Sequence, residues 1–317
     1  MSRSPESGTY FDCLMFSRDL SLEASLDRYH HSSEYAASKH FPLWLWPNVL
    51  SLDAPLVAIV WQFFFATCFD IRIGAGSLAF LGVGVWIVYA SDRVLDGIRS
   101  NSSQETARHR FARLNRRRLA VLIGLAVPVV FWLFWRLSAD WAFRAYLAVG
   151  VAMVAYFAIV HLAPAKLKRH WPKELVVGVL FAGGTCAPFL SASMVRSGRL
   201  PAIILFAAVL WINAVAIQCW EAGYEGRARL RLKPKLTGLT AYHLGGMAIV
   251  VGIAALCMFK LSGTSSTMRP LYAAIALTAG LLETQELTRG WLSCEALRVL
   301  ADAALLTPLI FLTLAAG

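Results

Sequence analysis

Two pairs of carboxylates have the spacing in this sequence that most suggests chemistry. Asp92 and Asp96 lie four positions apart in the stretch Tyr-Ala-Ser-Asp-Arg-Val-Leu-Asp-Gly, and Glu221 and Glu225 repeat the spacing later. Side chains four positions apart on a helix point to the same side. Carboxylate oxygens suit Mg²⁺, whose coordination is often completed by water and substrate phosphates. The four side chains are therefore candidate metal ligands on two facing helices.

Each pair closes an apolar segment of about the length that crosses a membrane. The 317 residues are 58% hydrophobic and 15% charged, whereas soluble domains have about 45–50% apolar and about 25% charged residues. A spanning helix needs about 20 apolar residues. We expect nine such helices, at 54–70, 77–97, 119–136, 141–162, 174–194, 200–223, 241–260, 270–287 and 293–315. The expected fold is an all-α, polytopic membrane protein with nine transmembrane helices around a cytoplasm-facing cavity.

The distribution of basic residues predicts the orientation of these helices. The loops after the second, fourth, sixth and eighth helices and the helix ends beside them carry eighteen Arg and Lys residues, and the alternate loops and helix ends carry seven. Cytoplasmic loops are enriched in these residues, so we expect a cytoplasmic N-terminus and both carboxylate pairs at cytoplasmic helix ends. The expected location is a bacterial inner membrane. The net charge of +11 then indicates contact with anionic lipid head groups and no nucleic-acid partner.

The first 40 residues differ from the rest of the chain. They are polar and of mixed charge, without a basic segment followed by an apolar one. We therefore expect a cytoplasmic tail at 1–40 and not a cleavable signal peptide, followed by one membrane domain at 41–317. The six cysteines show no Cys-x-x-Cys spacing, and most are expected to be small buried residues.

The carboxylate motifs resemble those of the UbiA superfamily of intramembrane prenyltransferases. That family carries Asn-Asp-x-x-Asp-x-x-x-Asp on its second helix and Asp-x-x-x-Asp on its sixth. Asp92 and Asp96 are similar to the last two aspartates of the first motif, and Glu221 and Glu225 resemble the second motif with glutamates. The family's leading Asn-Asp falls on Val-Tyr in this chain. The resemblance therefore implies a metal site with one carboxylate fewer than usual.

Two further stretches support the resemblance. Lys168-Arg169-His-Trp-Pro172 is similar to the family's Lys-Arg-x-x-Pro stretch before the fifth helix, whose basic residues face the diphosphate. The segment from Arg298 to Pro308 resembles a last-helix pattern of divergent members. Within it, the i,i+4 spacing of Arg298 and Asp302 is typical of a structural ion pair. The resemblance covers roughly residues 45–315.

The resemblance implies prenyl transfer. Mg²⁺ and basic side chains would neutralise the diphosphate leaving group and favour ionisation to an allylic carbocation. The candidates for phosphate contact are Arg93, Arg99, Lys168, Arg169 and Tyr89. Arg99 could instead contact lipid head groups, and Tyr89 could be a packing residue. Asn213 and Gln218, one to two turns before the second motif, are candidates for supporting its carboxylates.

Three functions are compatible with these features. The leading one is Mg²⁺-dependent transfer of a prenyl group from a prenyl diphosphate to an aromatic or other lipid-soluble acceptor. The second is a non-catalytic protein of the same fold that binds a polyprenyl phosphate or another lipid. The third, an ion-coupled transporter, would more often show internal repeats and broken helices. Convergence of the four carboxylates on one cavity would favour catalysis, whereas Tyr89 or Arg93 in the metal position would favour binding alone.

Overall fold

The computed structural model describes residues 41–99, 107–137, 142–162, 164, 172–190, 199–222, 236–261 and 266–315. Every regular element in these ranges is helical, which confirms the predicted all-α class. The predicted tail at 1–40 lies outside them. The helices are α1 (Trp46–Val49), α2 (Asp53–Phe69), α3 (Ala75–Arg99), α4 (Ala107–Leu114), α5 (Arg116–Arg136), α6 (Ala142–Leu162), α7 (Lys173–Cys186), α8 (Leu200–Glu221), α9 (Leu236–Tyr242), α10 (Leu244–Leu261), α11 (Arg269–Thr288), α12 (Cys294–Ala304) and α13 (Pro308–Ala315).

Among the residues that the structure describes, five helices are long and apolar enough to cross a membrane: α3, α5, α6, α8 and α10. A sixth span results if α2 is joined to the short helical segment before it. Helix α5 leaves large apolar side chains such as Phe131 and Trp135 more than half exposed, as expected of a face that contacts lipid. The chain therefore has the character of a membrane protein. The other predicted segments hold helices that are shorter or more polar.

The last predicted segment, 293–315, is two helices and not one. Helix α12 ends at Ala304, and α13 begins at Pro308. Proline has no backbone N–H and is well placed at the first position of a new helix. In a similar way, the helix predicted over 174–194 ends at Cys186 and continues as a 3₁₀ turn that contains Pro188.

The centre of the molecule is an aromatic cluster on α2 and α8. The Trp61 and Phe206 ring centroids are 4.4 Å apart, and Phe65 lies against both rings. The Trp61 indole N–H donates to the carbonyl of Leu305, at the end of α12, with a distance of 2.6 Å. These contacts fix α2 against α8 and α12. They also place the first residue of α2, Asp53, beside the inner face of α12.

A sharp bend precedes α2. The segment Leu43–Val49 meets α2 at an angle of 80°, and Ser51 between them has a φ of 59°. The bend turns α1 back across the end of the bundle from which α2 starts. An acidic residue at the first position of α2, Asp53, also complements the positive end of the helix dipole. The bend therefore brings Asn48 and the last carbonyls of α1 next to Asp53.

Candidate functional site

A cavity of about 200 Å³ opens between α2, α3, α7, α8 and α12. Its polar lining residues come from four of these helices: Asp53, Tyr89, Arg93, Asn213, Arg298 and Asp302. Its apolar lining includes Val57, Phe181, Leu210, Ile217 and Leu305. The cavity is thus amphipathic. The polar residues form its polar wall, and hydrocarbon side chains and one aromatic ring line the rest.

Arg93 belongs to the polar wall, and its position is fixed by contacts with α1 and α2. Its side chain is buried, and its guanidinium donates to the backbone carbonyls of Asn48 and Val49 at the end of α1. It also lies 3.9 Å from the Asp53 carboxylate. The carbonyls at a helix end have no partners within the helix, and a cation there is favourable. Arg93 therefore holds α1 in place while it lines the cavity.

Asp53 and Asp302 meet at this wall. The carboxamide N–H₂ of Asn48 donates to Asp53 Oδ2 at 2.6 Å and to Asp302 Oδ2 at 3.2 Å. One amide group therefore joins the start of α2 to the last turn of α12. Asp302 was predicted to pair with Arg298, and that prediction is wrong. The two side chains diverge because each finds a partner on another helix.

Glu221, a predicted metal ligand, is held by two arginines. Arg108 of α4 donates to both of its carboxylate oxygens, at 2.9 and 3.1 Å, and Arg298 of α12 donates to one of them. Charged hydrogen bonds of this kind are about twice as strong as neutral ones. In this arrangement the carboxylate joins α8 to α4 and α12.

Asp92 and Asp96 lie on the same side of α3 as Tyr89 and Arg93, because residues three, four and seven positions apart are neighbours on a helix. Asp92 Oδ1 is 3.5 Å from His161 Nε2, at the end of α6, and 46% of the Asp92 side chain is exposed. Asp96 is half-buried one turn further along. Neither residue lines the cavity. Of the predicted site, the cavity therefore contains Tyr89, Arg93 and Asn213.

The two predicted supporting amides are both at least half-buried. The Asn213 and Gln218 carboxamide oxygens accept no hydrogen bond from any residue that the structure describes. Glu221 takes its hydrogen bonds from Arg108 and Arg298 and not from these amides. Asn213 instead lines the cavity.

Part of the predicted site falls outside the described residues. This applies to Glu225, Lys168 and Arg169, and to the side chain of Arg99, which ends α3. Within the described ranges, no three His, Cys, Asp or Glu side chains are grouped closely enough to hold a metal ion. Of the predicted metal ligands that the structure describes, Asp92 and Asp96 are at least partly exposed, whereas Glu221 is held by two arginines.

Three residues of the cavity, Asp53, Arg298 and Asp302, were not predicted as part of the site. Asp53 comes immediately before the first predicted span, and Arg298 and Asp302 lie inside the last. Ionisable residues at membrane depth are a signal of function, so a search for them would have found this set. No family model matches the chain, and neither a curated protein nor a solved structure does.

Proposed function

We propose that this protein transfers a prenyl group from a prenyl diphosphate to a lipid-soluble acceptor within the membrane. The observation that carries the proposal is the amphipathic cavity, which has two arginines on its polar wall and apolar side chains elsewhere. Such a cavity suits a ligand with an anionic head and a hydrocarbon chain, because guanidinium groups pair well with phosphate. The motifs that resemble those of the UbiA superfamily suggest the reaction. The proposal also includes the nine transmembrane helices and the cytoplasmic orientation that the sequence predicts.

The residues of this chain would have distinct roles. Arg93 and Arg298 would contact phosphate oxygens, and the Tyr89 hydroxyl could donate to them. The apolar walls would exclude water, which would otherwise capture an allylic cation. Asp92 and Asp96 fit the binding of Mg²⁺, because they lie one turn apart at a helix end and the Asp92 carboxylate is partly exposed. When bound, Mg²⁺ would stabilise the negative charge that develops on the diphosphate.

The hydrogen bonds that the Glu221 carboxylate accepts favour a second function. Its carboxylate is already held by Arg108 and Arg298, and the cavity is lined by Tyr89 and Arg93 instead of Asp92 and Asp96. This arrangement favours a non-catalytic protein that binds a polyprenyl phosphate. The two functions share the anionic, hydrophobic ligand and differ in whether the bond to phosphate is broken.

Pyrophosphate release by the purified full-length chain in detergent tests the proposal. Prenyl diphosphates of several chain lengths would be offered with Mg²⁺ or with a chelator, with and without phenolic and lipid-alcohol acceptors. We expect release that requires Mg²⁺ and falls at least about 100-fold in Asp96→Asn. Asp70→Asn is the matched control, because Asp70 is an exposed carboxylate that directly follows the last residue of α2. Binding of these ligands without release at any chain length would favour the second function.

A further inference from the structure

The carboxyl groups of Asp53 and Asp302 form a close pair at the polar wall of the cavity. Both accept from the same carboxamide nitrogen of Asn48, at 2.6 and 3.2 Å, so the two accepting oxygens lie within about 6 Å of each other. Two partly buried carboxylates this close repel each other when both are ionised. A cation or a proton at the pair is therefore favourable.

The charge of the surrounding groups favours a proton. Arg93 lies 3.9 Å from Asp53 and contributes one positive charge. The other groups near the pair are Tyr89 of α3, which is neutral at pH 7, and Arg108 and Arg298, which both pair with Glu221. Two carboxylates, the Arg93 guanidinium and one proton add up to zero charge. A divalent cation would leave this partly buried cluster with a net positive charge, which is unfavourable where little water can solvate it.

Two other polar groups indicate that the cavity receives a ligand. The Asn213 carboxamide oxygen is an acceptor and the Arg298 Nε–H is a donor, and neither has a hydrogen-bond partner among the described residues. Both side chains are more than nine-tenths buried and line the cavity together with Asp53 and Asp302. Buried polar groups normally have partners. A hydroxyl group can satisfy both, because it donates one hydrogen bond and accepts others.

We propose that Asp53 and Asp302 share one proton and form an acid–base site for the hydroxyl of an acceptor bound in the cavity. This role rests on the proposed prenyl transfer. In that reaction the acceptor oxygen forms a bond to the allylic carbon, and the carbon–oxygen bond to the diphosphate breaks. The electron pair of the broken bond leaves with the diphosphate. The hydroxyl proton moves to the ionised oxygen of the Asp53–Asp302 pair.

Infrared difference spectroscopy tests the shared proton without any substrate. The purified full-length chain in detergent at neutral pH should show a carboxylic acid C=O band that shifts in D₂O. The band should be lost in both Asp53→Asn and Asp302→Asn, because the remaining carboxylate then pairs with Arg93 as an anion. Asp70→Asn should keep it. A spectrum of Asp302→Asn identical to that of Asp70→Asn would overturn the site. So would Mn²⁺ binding that is lost in Asp302→Asn and kept in Asp70→Asn.

Turnover separates this inference from the proposed function. Asp302→Asn should keep prenyl diphosphate binding while transfer to a hydroxyl acceptor falls at least about 100-fold, the size of a general-base effect. Transfer that is unchanged in Asp302→Asn would overturn the acid–base site and leave prenyl transfer intact. If the band is lost in both variants but the wild-type chain transfers no prenyl group, prenyl transfer is overturned and the shared proton stands.

Discussion

Arg298 on α12 donates to the carboxylate of Glu221 on α8, although the two residues are 77 positions apart. Arg108 on α4 donates to the same carboxylate. Glu221 thereby joins three helices at the end of the bundle that carries the cavity. Arg298 also lines the cavity, so the position of its guanidinium there depends on a carboxylate that lies outside it. The stability of the bundle and the shape of the site are therefore linked at Glu221.

Replacing Glu221 by Gln should destabilise the protein. The amide keeps the size of the side chain but leaves Arg108 and Arg298 without their anionic partner. Removing one member of a buried ion pair costs about 3–5 kcal/mol. Because the Glu221 side chain is 24% exposed, we expect a smaller loss of about 2 kcal/mol in the free energy of unfolding. Unfolding in detergent micelles by titration with SDS would measure it.

The ion pair of Arg289 and Glu286 provides the control. The Arg289 side chain is 42% exposed, and exposed pairs contribute only about 0–1 kcal/mol. Arg289→Gln should therefore unfold at nearly the same SDS fraction as the wild type. If Glu221→Gln unfolded at the same SDS fraction as Arg289→Gln, the Glu221 carboxylate would not contribute to holding α4, α8 and α12 together. Its carboxylate would then be available for a metal, as the sequence predicts.

Arg93 should determine whether α1 stays docked. Its guanidinium donates to the carbonyls of Asn48 and Val49, so Arg93→Met removes both hydrogen bonds and leaves Asp53 without its cation. We expect backbone amides in 43–52 to exchange with D₂O about tenfold faster or more, which corresponds to about 1.4 kcal/mol of local stability. Peptides from α10 should exchange at the wild-type rate. Unchanged exchange in 43–52 would show that apolar packing alone holds α1.

The sequence predicted those helices that follow from local properties of the chain. The segments predicted at 77–97 and 141–162 correspond to Ala75–Arg99 and Ala142–Leu162. Length and apolar composition define such a helix without reference to the rest of the protein. The division of 293–315 at Pro308 is also local, but the apolar composition on both sides obscured it. The bend before α2 depends on a left-handed residue, Ser51, whose type gives little indication of that conformation.

The site was only partly predictable because its contacts are between distant helices. Tyr89 and Arg93 were identified from their motif, and both line the cavity. The partner of Asp302 could not be inferred from spacing. The i,i+4 rule indicated Arg298, whereas the packing of α12 against α1 and α2 supplies Asn48. Long-range packing decides which of two possible partners a charged side chain reaches, and periodicity carries no information about it.

Gly178 should be intolerant of any side chain. A Cβ atom at this position on α7 would lie 2.9 Å from the backbone nitrogen of Trp211 and 3.2 Å from the carbonyl oxygen of Ala207 on α8. Backbone atoms cannot rotate away, so Gly178→Ala should push the helices apart and lower the free energy of unfolding by about 1–3 kcal/mol. Gly150→Ala on α6 is the control, because no atom lies within 4 Å of its Cβ. It should be neutral or stabilise by up to about 1 kcal/mol. Equal effects of the two substitutions in SDS titration would contradict this close approach.

The proposed orientation can be tested with single cysteines at opposite ends of α3. Arg72 lies before α3, Arg117 is the second residue of α5, and both are exposed. The positive-inside rule places Arg117 in the cytoplasm and Arg72 outside. In a background with Cys13, Cys257 and Cys294 replaced by Ser, which leaves only buried cysteines, a membrane-impermeant maleimide should label Arg72→Cys in intact cells. It should label Arg117→Cys only after permeabilisation, and the parent chain should stay unlabelled in intact cells.

The reverse pattern would place the carboxylate motifs and the cavity mouth on the outer side, away from cytoplasmic prenyl diphosphates. Equal labelling of both positions in intact cells would contradict a membrane-spanning α3.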